Sequence, residues 1–492
     1  MSAYDFKDDS LYYNVISLSD LTAEVTNGGS SYTYKTVSIP SEVTYMGRIL
    51  KIIKVGSSAF RDCGNLVSVT IPEGVMDIGN YAFYGCNNLT SVIIPKGVMS
   101  IGNDAFYNCD KLVSVIIPQS VTSIGDWVFG FCGRLTSIVI PEGVTSVGVG
   151  AFCECRSLMS VTIPEGVTSI GSRAFDLCSL GSITIPESVT NIGSSTFRDC
   201  HYLASITIPE NVKELGIGAF KGCNNLASVI IQSKELADLE NNQYNPPPFS
   251  SCKMSSVQIS NSVSKIGNNI FDPGTAKLKE VIIDDCDQPL NLGYTHSQEY
   301  NSRYYYGSFS STSLEKIYFG RNLSYYGGVG GSTYIYTPFA TYNSHVKEIY
   351  IGDYVSSLNG LSLSDHTELE ILTIGKGLSE VPKLSSFSNL TSLTLTSEVP
   401  QPASEFTNAQ YLNLKVYVPK GSLAAYQSAD VWKNFWNLQE VETTGIEHTI
   451  SKGTTAKELR RYDAAGRKIN SLQKGLNIIK MSDGTTKKVI VK

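Results

Sequence analysis

One phrase of about 23 residues is written eight times in succession between Phe60 and Cys223, and it constrains the fold more than any other feature of the chain. Its anchors are a phenylalanine (Phe60, Phe83, Phe106, Phe129, Phe152, Phe175, Phe197, Phe220) and, three residues later, a cysteine (Cys63, Cys86, Cys109, Cys132, Cys155, Cys178, Cys200, Cys223). Successive anchors stand 23 residues apart, with one step of 22. A unit this short cannot bury its own apolar face, so units at a fixed period must stack into a solenoid with one core running through every coil. Such a stack displays long outer surfaces, which points toward binding rather than catalysis.

Within a unit, Leu66, Val69 and Ile71 alternate as the inward residues of a strand. The same phrase returns at Leu89-Val92-Ile94, Leu112-Val115-Ile117, Leu135-Ile138-Ile140, Leu158-Val161-Ile163, Leu180-Ile183-Ile185, Leu203-Ile206-Ile208 and Leu226-Val229-Ile231. Pro72, Pro95, Pro118, Pro141, Pro164, Pro186 and Pro209 follow these strands; lacking an N–H, each ends its strand at the same height. Gly79, Gly102 and Gly125 are expected at a backbone bend that a Cβ would obstruct. The phenylalanine is expected to fill the middle of each coil.

Looser rungs follow at Val257/Ile259, Val281/Ile283, Ile317/Phe319, Ile349/Ile351, Leu372/Ile374, Leu393/Leu395 and Val416/Val418, with insertions in two middle coils, and an earlier one stands at Val37-Ser38-Ile39. Asn245-Pro246-Pro247-Pro248 reads as a break in the array. The segment from Ala424 to Trp436 reads as a short amphipathic helix capping the stack. The expected organisation is a capping segment over 1–55, regular repeats over 56–231, irregular repeats with Tyr-rich insertions over 232–345, further repeats and a cap over 346–442, and a small β module over 443–492.

The phrase LxSVTIPEGVTSIGxxAFxxC resembles the BspA-like (Treponema pallidum type) leucine-rich repeat of bacterial cell-surface proteins, strictly over 60–231 and recognisably over about 30–440. The resemblance implies a β-rich solenoid, a right-handed leucine-rich-repeat superhelix with parallel strands on the concave face, followed by the small all-β module. In that module Tyr462-Asp463, Gly466-Arg467-Lys468, Lys474-Gly475-Leu476-Asn477 and the terminal Lys487-Lys488-Val489-Ile490-Val491-Lys492 resemble a Bacteroidetes type IX secretion sorting domain, with Asn477 where that domain has an aromatic. A plain β module with a basic face is the other reading, since residues 444–492 hold 11 Lys/Arg against 4 Asp/Glu. No signal peptide is visible at Met1-Ser2-Ala3-Tyr4, so the chain is either cytoplasmic or a mature form whose leader has been replaced by a start Met. The tail favours the second reading, with an extracellular or outer-surface location.

A net charge of −6 and a pI near 5.6 argue against nucleic acid, which demands a basic stripe. No run of 18 apolar residues exists to span a membrane. The eight in-phase cysteines fall at a spacing that admits disulfides, but parallel in-register side chains disfavour the torsion, and a column of free, core-filling thiols is expected. Cys153, Cys252 and Cys286 are expected to lie outside it. No zinc set, P-loop, G-x-S-x-G or H-E-x-x-H occurs. The glutamates Glu73, Glu142, Glu165, Glu187 and Glu210 recur one coil apart as a solvated rim, and Asp284-Asp285-Cys286-Asp287 reads as a polar loop tip before a calcium loop. No catalytic residue, cofactor or metal is expected.

Two partner-binding candidates remain. The outward strand column Thr70, Ile93, Ile116, Val139, Thr162 forms an apolar strip, which marks either an interaction site or mere strand propensity. The segment 294–342 holds 11 of the 28 tyrosines, among them Tyr304, Tyr305, Tyr306, Tyr325 and Tyr326, and suits either sugar stacking or the cover of irregular coils. The expected function is a monomeric, non-enzymatic surface or secreted protein that binds a host-matrix or bacterial protein partner. The alternative is a surface carbohydrate-binding protein using the tyrosine loops.

Overall fold

The computed structural model describes residues 4–441 except residue 30 and the segments 240–245, 272–276, 300–301, 310–312, 326–337 and 340–344, and beyond 441 the backbone of four strands. For the Tyr294–Glu299 and Ser302–Gly307 strands the backbone alone is described.

The phrase folds as its period requires. Short parallel strands stack in register one repeat apart, Val37 beside Val69, Val69 beside Val92 and Val92 beside Val115. From Ser205–Ile208 onward the ladder runs unbroken through ten strands to Asn437–Val441. Its register pairs Val257 with Val281, Val281 with Ile317, Ile317 with Ile349, Ile349 with Leu372, Leu372 with Leu393 and Leu393 with Val416. Insertions of any length are therefore looped out between rungs, because the alternation of buried residues admits one register. A second ladder of two-residue strands, such as Asp77–Ile78, Ser100–Ile101 and Ser123–Ile124, lines another side of each coil. The strands Leu11–Ser17, Thr22–Thr26 and Arg48–Val55 feed into this ladder and close its first end.

The core is a column of phenylalanines. From Phe60 to Phe220 neighbouring rings lie 5.1–5.7 Å apart and within 12° of parallel. Phe249, Phe271, Phe309 and Phe339 continue it through the irregular coils, and Tyr32 begins it. Stacking adds about 0.5–1.5 kcal/mol per pair to the burial of each ring.

The cysteines are free, and their column is held by more than packing. From Cys86 on, each thiol of the column donates to the carbonyl of the phenylalanine one coil back, Cys86 to Phe60 at 3.1 Å, Cys109 to Phe83 at 3.3 Å and Cys132 to Phe106 at 3.2 Å, and the series continues to Cys223, while Cys63 turns to the Arg61 carbonyl at 3.8 Å. Cys252 belongs to it too, donating to Phe220 at 3.0 Å. The expectation that Cys252 stands apart is corrected: Phe249 and Cys252 are a ninth anchor pair, displaced by an insertion.

A Cβ would indeed be obstructed at Gly79, Gly102 and Gly125, and the obstacle is the coil before: on Gly125 it would fall 2.6 Å from the Asn103 nitrogen and 2.7 Å from the Gly102 carbonyl carbon. Two further expectations are corrected. The rung at Leu180-Ile183-Ile185 forms no hydrogen-bonded strand. The residue lost in the 22-residue step lies between Cys178 and Leu180, directly before it. Pro246-Pro247-Pro248 do not break the stack: Pro246 and Pro248 carbonyls accept from Gly218 N–H at 3.0 Å and Phe220 N–H at 2.8 Å. On this side of every coil the N–H groups point to the next coil, as Ser58, Phe60 and Asp62 donate to Asn80, Ala82 and Tyr84. The carbonyls of Pro246 and Pro248 keep the bonds from the coil before, whereas Pro247, two residues before Phe249 as Tyr81 is before Phe83, lacks the N–H that Tyr81 donates to Asn103 in the next coil.

At the far end Leu423–Ser428 forms one helix and Trp432–Asn434 a separate 3-10 turn. They bury Tyr426, Trp432 and Phe435 and leave Trp436 exposed, while Asn437–Val441 adds one more rung. The chain divides by its internal contacts into Met1–Glu442 and Thr443–Lys492. In the second unit Glu458–Asp463, Lys468–Ile469, Gly475–Met481 and Thr486–Val491 form a four-stranded antiparallel sheet.

Candidate functional site

The strand face carries the first candidate. Thr70 pairs with Ile93 and Ile93 with Ile116, while Val139 pairs with Thr162, so the five residues form one outward column across five coils. The residues on either side of each turn inward to the core, which forces these outward. Ile93 is 77% exposed, Ile116 76% and Val139 58%. Thr70 and Thr162 are exposed at its two ends. Exposed Val113 and Met159 widen the strip on one side, and the exposed rim Glu73, Lys96, Gln119, Glu142 and Glu165 borders it on the other.

The exposed apolar strip belongs to the early coils. The same column is half-buried at Thr207 and Ile230 and buried at Ile282, Tyr318 and Tyr350. There larger side chains cover one another, Tyr318 and Tyr350 stacking at 4.1 Å while the Tyr318 hydroxyl donates to Asp285 at 2.6 Å. Burial raises the pKa of Asp284 and Asp285 above the usual carboxylate range. Among the described residues no group of three or more potential ligands could hold a metal ion.

Tyr304, Tyr305 and Tyr306 lie on the Ser302–Gly307 strand, whose backbone pairs antiparallel with Tyr294–Glu299; their side chains lie outside the described residues, as does Tyr326. Tyr325 packs partly against the core, and its hydroxyl is 3.3 Å from Asn359 Oδ1.

The buried thiols of the column are unreactive. Burial pushes Cys63 up to about 11 and Cys132 up to about 12, and raises Cys109, Cys155 and Cys178 well above the usual thiol range. They stay protonated at neutral pH, and a protonated buried thiol is a poor nucleophile.

A second candidate escaped the sequence reading. On the side of the coils that carries the phenylalanines, Arg61, Tyr81, Tyr84, Asp104, Tyr107 and Trp127 line a recess of about 460 Å³. Tyr81, Asp104 and Trp127 each stand two residues before a core phenylalanine, and Arg61, Tyr84 and Tyr107 each stand one after. Aligning those two flanking columns would have revealed the aromatic run; attention to the strand period passed over it.

A stack of short parallel strands, Phe-centred and 23 residues in period, defines the chain as a leucine-rich-repeat solenoid. The BspA type Leucine rich repeat region matches in six copies over residues 53–155, 127–246 and 248–329, together more than half of the chain. The protein therefore belongs to the BspA-type leucine-rich-repeat family, and no catalytic family is matched. Among solved structures it is similar to a leucine-rich repeat protein from Bacteroides ovatus, at 23% identity and TM-score 0.47 over 89% of this chain and 100% of that one. It is also similar to a leucine rich cell surface protein from Faecalibacterium prausnitzii, at 25% identity and TM-score 0.41 over 80% and 94%. A leucine-rich repeat protein of T. pallidum aligns at 28% identity and TM-score 0.33 over 44% and 87%. No curated protein matches the chain. No helix of the described residues is long and apolar enough to cross a membrane.

Proposed function

We propose that the chain is a non-enzymatic surface or secreted protein, acting as a monomer, whose early strand face binds a protein partner on host matrix or on another bacterium. The observation that carries this reading is the exposure of Ile93, Ile116 and Val139 at the same position of three successive coils. Scattered exposed apolar residues are ordinary, whereas a contiguous strip with a polar border marks interaction surfaces. The family supports a binding role, and the C-terminal phrases that resemble a sorting domain support export. The test is retention on immobilised fibronectin, fibrinogen and fixed bacterial cells. Wild-type protein is expected to be retained on at least one of them, and Ile93→Asp with Ile116→Asp to reduce retention at least tenfold without changing the melting temperature. Retention on none, or equal retention of the double variant, overturns the proposal. The glycan reading of Tyr304–Tyr306 is tested by replacing the three with Ala and measuring glycan binding.

A further inference from the structure

The recess on the phenylalanine side is built from four successive coils. Tyr84 and Tyr107 stack at 5.0 Å and 7° between planes, Tyr81 leans on Tyr84 at 5.9 Å, and Tyr107 meets Trp127 edge-on at 6.2 Å. Asp104 lies half-buried among them. Burial and the negative charge of nearby Asp126 raise the pKa of this carboxyl group above its usual range, while Arg61 opposes the shift.

Two features shape this cluster. Each regular coil holds this repeat position at φ between +55° and +60° (Ser58, Tyr81, Asp104, Trp127, Gly150, Arg173, Ser195 and Gly218), a left-handed backbone that aims its side chain the same way in every coil. At Tyr81 and Trp127 the position carries a large aromatic ring, where Gly150 and Gly218 carry none. The neighbouring coil also makes room for the indole: a Cβ on Gly150 would fall 2.5 Å from Trp127. The ring therefore lies over bare backbone, with Arg173 seated 5.3 Å from its centroid.

We propose that this recess binds a glycan, stacking a pyranose ring on its aromatic wall and hydrogen-bonding its hydroxyls through Asp104, Arg61 and the tyrosine hydroxyls. The volume falls within the range of about 300–1,000 Å³ typical of small-ligand sites. Among the described residues no hydrogen-bond partner serves the Tyr81 or Tyr84 hydroxyl, which leaves both able to donate to and accept from a ligand. A carboxylate and a guanidinium beside aromatic rings match a polyhydroxylated ligand with an apolar C–H face. A cationic ligand fits worse. Arg61 stands 4.8 Å from the Tyr84 centroid and 5.4 Å from that of Tyr81, and Arg173 stands 5.3 Å from that of Trp127, so an incoming cation meets like charge. The site is separate from the strand-face strip and does not depend on that reading.

The test is affinity electrophoresis of the full chain through gels carrying soluble β-glucan, xyloglucan, arabinoxylan or galactomannan, with poly-lysine as the cationic probe. At least one polysaccharide is expected to retard the wild type. Trp127→Gly, which removes the ring and relaxes the backbone, is expected to weaken that binding at least tenfold at an unchanged or raised melting temperature. Asp104→Asn and Tyr81→Gly are expected to weaken it as well, and they carry the same readout should Trp127→Gly melt early. Ile93→Asp is expected to leave it unchanged. Retardation by no polysaccharide, or equal retardation of wild type and all three recess variants, overturns the proposal. Capture of poly-lysine abolished by the same variants overturns it in favour of a cation cage.

Discussion

Substituting Ala for Gly125 adds one carbon atom, and the structure sets what that atom meets. The new Cβ would stand 2.6 Å from the Asn103 nitrogen and 2.7 Å from the Gly102 carbonyl carbon, about 0.8 Å short of an ordinary 3.4 Å contact. Those are backbone atoms of the preceding coil and cannot swing aside. Relief requires the coils to part where Gly125 N–H donates to Ile101 and Asp126 N–H to Asn103 Oδ1, each at 2.9 Å. Overpacking of this kind costs about 1–3 kcal/mol. The reduced freedom of the unfolded chain returns about 0.4–1 kcal/mol, leaving a net destabilisation of up to about 2.6 kcal/mol. Gly64 is the control: a Cβ there meets nothing within 4 Å, so Gly64→Ala is expected to be neutral or stabilising by up to about 1 kcal/mol. Urea unfolding followed by circular dichroism measures both, and amide exchange locates the loss, because a solenoid can open coil by coil. Slowest-exchanging amides near Ile101 and Gly125 should lose protection. Equal shifts for the two variants would refute the close-approach account of this glycine column.

Ten cysteines are buried and Cys286 is partly exposed, so a thiol reagent at neutral pH should label one group per native chain and eleven after denaturation; rapid labelling of several native thiols would contradict the hydrogen-bonded column. Phe129→Ala removes a fully buried ring stacked at 5.3 Å and 5.7 Å on its neighbours and should cost about 3–5 kcal/mol, read from the same urea curves. His366 is buried and its pKa is lowered to about 4 by desolvation. The unfolded chain takes up this proton near pH 6.5 and the folded chain does so near pH 4, so stability present above pH 6.5 falls by up to about 3 kcal/mol as the pH drops to 4. His366→Gln should flatten that part of the urea-midpoint profile against pH, and an identical profile would exclude His366 as its source. Gly150→Ala should displace the Trp127 indole and shift its fluorescence, whereas an unshifted spectrum would place the ring elsewhere.

Much of the fold was legible residue by residue. The inward triplet Leu66, Val69, Ile71 and its copies needed only strand alternation and the 23-residue period, and rungs as irregular as Ile317 and Ile349 were found by the same rule. The outward strip at Ile93, Ile116 and Val139 follows from the same alternation. Its confinement to the early coils does not, because whether Ile282 or Tyr318 is covered depends on side chains from other rungs. Cys252 was misplaced because an insertion hid its phase, although Phe249 three residues earlier carried the signal.

By itself the sequence determined that the chain stacks, which residues face the core and where the coils begin, because near-identical units at a fixed period have one register that buries every copy of the apolar set. Tertiary structure alone decided what neighbouring coils do to one another. The bond from Cys86 to Phe60, the glycine that admits the Gly102 backbone and the gathering of Arg61, Tyr84, Asp104 and Trp127 around one recess are contacts about one or more periods apart. They depend on how closely and at what angle the coils lie, and no single repeat contains that information.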